Sequence, residues 1–155
     1  MKKRLNIFCV LMLLLMAAQV VMTFVTGADA FAEGWREGAE AGAKGFTWSG
    51  LLEVIVGLIV VIAAFFSFGC FVHFILNINR NKVFVWENVL MLRMTGIGLC
   101  IVVLLISADE YLNGKSLMAV YDDYFEILIF CVFSLIVAEA FAIGLKLKEE
   151  QELTI

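Results

Sequence analysis

Apolar residues fill four stretches of this chain, and none of the four shows the regular polar positions of a half-buried helix or strand. The stretches cover roughly residues 5–26, 51–77, 88–107 and 125–147. Each reaches the ~20 residues with which an α-helix crosses a hydrocarbon layer of ~30 Å. A helix that is apolar all round must be buried in lipid or in protein, and the sequence left over is too short to clothe four of them. The pattern therefore predicts an all-α, polytopic membrane protein: a four-transmembrane-helix bundle, with residues 1–155 as one membrane domain. Two outer loops (27–50 and 108–124), an inner loop (78–87) and a tail (148–155) join and end the spans.

Composition agrees with the pattern, since 63% of the residues are hydrophobic. The placement of charge adds orientation. Lys2, Lys3, Arg4, Arg80, Lys82, Lys146 and Lys148 fall on one side of the expected layout, against Arg36, Lys44 and Lys115 on the other. Basic residues accumulate in cytoplasmic segments, so both termini are expected to be cytoplasmic. A basic start, an apolar stretch and Ala28-Asp29-Ala30 also resemble a signal peptide with its cleavage site. The stretch is longer than such a segment needs, which favours a retained first span. Proline is absent, so no span is expected to carry a proline kink.

Candidate chemistry is sparse. Cys9, Cys70, Cys100 and Cys131 fall one to a span without the close pairing of a metal site, and read as small polarisable apolar residues. No nucleotide-, zinc- or serine-nucleophile motif occurs, so no catalytic residue, metal or cofactor is expected. The inner loop is too short for an enzyme or a DNA-binding module, which leaves no direct contact with nucleic acid. In the first outer loop, Phe31 to Gly42 reads either as a flexible glycine loop or as a short helix. As a helix it would stripe Gly34, Gly38 and Gly42 on one side for close packing, with Trp35 anchored among headgroups.

Ionisable residues at membrane depth are costly unless paired or hydrated. Arg93 lies roughly 9 Å into the third run and Glu139 roughly 12 Å into the fourth, at about 1.5 Å per residue. The two runs are adjacent and antiparallel, so an Arg93–Glu139 ion pair is expected, with His73 near enough to join it. One pair and a shallow histidine do not make a relay across the layer. A small transporter or channel subunit using His73, Arg93 and Glu139 is nonetheless the alternative to an interaction protein. A structural subunit that self-associates as a homo-oligomer is the third reading.

The end of the chain is distinctive. Phe141, Gly144, Leu145, Leu147, Glu150 and Leu153-Thr154-Ile155 follow a pattern that resembles the ending of a bacterial four-span family, domain of unknown function 2975. The basic residues frequent between Phe and Gly in that family are replaced by Ala142 and Ile143. The resemblance implies a bacterial inner-membrane location and no enzymatic activity. It also implies a partner, because such members are often encoded beside a small helix-turn-helix transcription regulator. Glu149, Glu150, Glu152, Leu153, Thr154 and Ile155 are the expected contact residues: acidic side chains to steer, apolar ones to anchor.

The charge asymmetry sets a first test. Membrane-impermeant thiol reagents should label single cysteines introduced at Lys44 or Lys115 from outside, and at Arg80 or Ile155 only after permeabilisation. Labelling of Ile155→Cys in intact cells would overturn the assigned orientation.

Overall fold

A computed structural model describes every residue except Met1, Lys44, Phe46, Thr154 and Ile155, and only the backbone at Lys2, Lys3, Ala41 and Ser49. The described residues form five helices and no strand: α1 (Lys2–Thr26), α2 (Ala28–Ala43), α3 (Trp48–Asn79), α4 (Trp86–Leu112) and α5 (Leu117–Glu152). Four of them, α1, α3, α4 and α5, are long and apolar enough to cross a membrane. The chain divides into two compact units, Met1–Gly57 and Leu58–Ile155.

In the first unit the expected outer loop is largely helical. Gly27 bends the chain between α1 and α2 and keeps two helix-type hydrogen bonds of its own: Gly27 N–H donates to Thr23 O at 2.8 Å, and Phe31 N–H to Gly27 O at 2.9 Å. A Cβ at Gly27 would lie 2.5 Å from Thr23 O, so the bend needs glycine. Thr23 and Thr26 each turn a hydroxyl back to the carbonyl four residues earlier, a bond that tends to bend helices.

The second unit is built on a helical hairpin in which α4 and α5 pack against each other along their length. Small residues permit the approach. A Cβ at Gly96 would lie 2.8 Å from Leu135 Cγ and 3.0 Å from Cys131 O. Ser134 Oγ donates to Leu92 O at 3.2 Å. The carboxyl-terminal half of α3 joins this pair at Gly98, whose missing side chain leaves room for Ser67 Oγ. Ser67 is fully buried and donates to Ala63 O at 2.7 Å. Phe71 of α3 meets Phe130 of α5 edge-on, with centroids 5.5 Å apart.

The segment expected as a second outer loop is reduced to Asn113–Ser116, because α4 and α5 run on as helices beyond their apolar runs. Both chain reversals of this unit close by the same device. After α4, Lys115 N–H bonds Glu110 O and Gly114 N–H bonds Tyr111 O, with Gly114 at φ 91°. After α3, Lys82 N–H bonds Asn77 O and Asn81 N–H bonds Ile78 O, with Asn81 at φ 65°. This is the Schellman arrangement, which satisfies terminal carbonyls and needs a left-handed residue that glycine or asparagine supplies. Ser116 then caps α5, accepting from Ala119 N–H at 3.3 Å.

The Gly98 contact yields a test. Gly98→Ala sets a methyl against Ser67 Oγ and should lower stability by about 1–3 kcal/mol. With Ser67→Ala as well, the nearest surviving side-chain atom is Ser67 Cβ at 3.4 Å, an ordinary contact. The double variant should therefore recover most of the loss in thermal unfolding. Additive losses would show that the two positions do not meet.

Candidate functional site

The end of the second unit that carries the α3–α4 turn and the last turns of α5 is joined by polar contacts between its elements. Its centre is an amide pair. Asn88, fully buried in the first turn of α4, accepts from Asn77 Nδ2 at 3.1 Å. Its own Nδ2 donates to Lys82 O at 2.6 Å and Val83 O at 2.7 Å. A buried amide is stable only when its donors and acceptors are used, and this one stitches α3, the turn and α4 together. Sequence reading passed over both asparagines. Their signal was the placement of one amide at each edge of a short turn between two apolar runs.

The turn also projects Phe84 onto α5. Phe84 and Phe141 have ring centroids 5.7 Å apart, and Phe141 in turn meets Phe74 of α3 edge-on at 5.8 Å. A Cβ at Gly144 would lie 3.1 Å from Phe84 Cε1, so the glycine makes the seat for this ring. Leu145 is buried with Val89 and Ala142. Phe141, Gly144 and Leu145, first singled out as part of a distinctive ending, thus hold the turn against the helix pair.

Beyond this seat Trp86 Nε1 donates to Glu149 Oε1 at 2.8 Å. Glu149, one of the expected contact residues, is thus exposed and hydrogen-bonded within the chain. Lys148 and Glu152 lie 3.7 Å apart on one helix face. Glu150, Glu152 and Leu153 are exposed, whereas Thr154 and Ile155 lie outside the described residues.

Arg93 and Glu139 meet as expected. Arg93 Nη2 lies 2.7 Å from Glu139 Oε1, and Nε donates to the same oxygen at 2.9 Å. Their side chains stay 42% and 60% accessible, so the pair sits on the outer surface of the α4–α5 hairpin and is not sealed between helices. His73 has a different acidic neighbour, with Nε2 3.8 Å from Glu87 Oε1.

At the opposite end of the hairpin, Lys115 bridges Asp123 at 2.6 Å and Glu110 at 2.8 Å, and Tyr124 Oη donates to Glu110 at 2.9 Å. Hydrogen bonds to Asp123 and then Glu110 hold the Lys115 ammonium well above the usual lysine range. In the first unit, a Cβ at Gly34, Gly38 or Gly42 would meet nothing within 4 Å, so the glycine stripe faces open space. Trp35 is exposed beside Phe31. Cys100 and Cys131 are thiol neighbours, and all four cysteines are free. No cluster of three or more metal-ligating side chains occurs among the described residues.

Four apolar helices of spanning length and a clasped polar turn define a multi-pass α-helical membrane protein. A family described as "Protein of unknown function (DUF2975)" matches residues 36–155, and the chain belongs to that family. No curated protein and no solved structure matches it.

The surface ion pair can be measured directly. Arg93→Leu and Glu139→Leu should each lower unfolding stability in lipid bilayers, with a coupling of about 0.5–3 kcal/mol in the double-mutant cycle. A coupling of zero would mean that the contact contributes nothing.

Proposed function

We propose that this chain is a non-enzymatic protein of the bacterial inner membrane that holds a cytoplasmic partner at the end of α5. In this reading both termini are cytoplasmic, and the partner is a small helix-turn-helix transcription regulator, the kind that the family resemblance implies. The carrying observation is that Leu153 is 87% exposed at the end of a helix whose preceding turns are fixed to the α3–α4 turn.

The length of α5 supports this. Its 36 residues extend about 54 Å at about 1.5 Å each, well beyond a hydrocarbon core of ~30 Å. The excess carries a polar last segment from Lys146 to Glu152. The turns just before that segment pack inward through Phe141 and Leu145, while Leu147 and Leu153 are exposed, as are Glu150 and Glu152. A rigid helix presenting apolar anchors beside acidic groups suits a basic partner, which the acids attract and the leucines retain. The contact surface is then Leu147, Glu150, Glu152 and Leu153, with Glu149 serving the seat.

Binding of a purified small helix-turn-helix regulator from the same organism to full-length protein in nanodiscs checks the proposal. Leu147→Glu with Leu153→Glu should weaken capture by about 2 kcal/mol or more, roughly 30-fold. Glu150→Gln with Glu152→Gln should mainly slow association at low salt. The leucine variant should keep the thermal stability of the parent, because Leu147 and Leu153 are 55% and 87% exposed. Unchanged capture by the leucine variant would defeat the proposal.

A further inference from the structure

We propose that α2 is a membrane-surface helix that lies along a zwitterionic lipid interface, with Phe31 and Trp35 set into the headgroup layer. The inference goes beyond the partner-binding reading and does not depend on it.

The sequence of α2 is two-sided at about 100° per residue. Phe31, Trp35, Gly38, Ala39 and Gly42 gather on one side. Asp29, Glu33, Arg36, Glu37 and Glu40 gather on the other. Phe31 and Trp35 are 71% and 74% exposed, with ring centroids 6.3 Å apart. Two large neighbouring rings left bare on an amphipathic helix need a cover.

The tethers at its two ends identify the cover. One residue, Gly27, separates α2 from the end of α1, and Lys44–Thr47 separate it from α3. Both flanking helices are of spanning length and are antiparallel in any two-span crossing, so both tethers start at the same membrane surface. Sixteen residues make α2 about 24 Å long. A fully extended link from Ala43 to Trp48 reaches about 18 Å at most. The link is not fully extended, since Gly45 N–H bonds back to Gly42 O at 3.3 Å with Gly45 at φ 95°. An upright α2 could not return the chain to the surface, so the helix must lie over. The glycine-dependent bend at Gly27 provides the departure from the direction of α1.

A helix held flat at that level puts its ring-bearing side where amphipathic aromatic side chains are favoured. Its other side carries four acids and one arginine, which anionic headgroups would repel. The lipid chemistry that fits is therefore a phosphocholine- or phosphoethanolamine-like surface.

The test uses full-length protein in phosphatidylcholine vesicles whose acyl chains are brominated near the carbonyl end. The Trp35 signal is the difference in fluorescence between the parent and Trp35→Phe. That signal should be strongly quenched by the brominated lipid and weakly by aqueous acrylamide. A tryptophan at the polar side, Glu40→Trp in the Trp35→Phe background, should show the reverse preference, with a severalfold difference in the ratio of the two quenching constants. Equal acrylamide quenching at positions 35 and 40 would place α2 in water and overturn the proposal. Protection of Trp35 from both quenchers would overturn it as well, by showing that protein, such as a second copy of the chain, covers the rings.

Discussion

A backbone that enters hydrocarbon has no water to satisfy its N–H and C=O groups, so each must find a partner within the protein. Helices meet this demand along their length and fail at their ends, where the last carbonyls are orphaned. The second unit answers at both of its reversals with paired backward hydrogen bonds around one left-handed residue, Asn81 or Gly114. At the Asn81 reversal the residue whose carbonyl is capped, Asn77, also sends its side chain to Asn88, which secures the two carbonyls that follow. That closure keeps the turn short. A short turn is what brings Phe84 onto Phe141 and Trp86 within reach of Glu149.

The spans were legible because hydrophobicity over ~20 residues is a property of composition, and lipid enforces it residue by residue. The Arg93–Glu139 contact was legible for a related reason, since two opposite charges at similar depth on neighbouring helices have few other partners. The contacts that fix the approach of helices were not. Gly98 and Ser67 are 31 positions apart, and nothing local distinguishes the glycine that receives a hydroxyl from Gly57 or Gly69, which meet nothing. Helix extent beyond the apolar runs was also missed. Tyr111, Asp122 and Asp123 look like loop residues by polarity, yet helices continue through them, where Lys115 bonds Glu110 and Asp123 and Ser116 supplies a cap.

The carboxyl-terminal ending reads differently once it is placed in three dimensions. The residues that carry the family resemblance fall on two opposite sides of one helix. Phe141, Gly144 and Leu145 belong to the interior, and their spacing matches the inward side of α5. Leu147, Glu150 and Leu153 stand on exposed positions. The first group seats the α3–α4 turn, and the second lies on the side of α5 turned away from that seat.

The unbroken length of α5 has a mechanical side. Between Tyr124, bonded to Glu110 at one end, and Glu149, bonded to Trp86 at the other, lie about 37 Å of helix with no proline at which to hinge. The cluster around Lys115 and the Glu149–Trp86 contact therefore pin the same helix near its two ends, one before its apolar run and one after it.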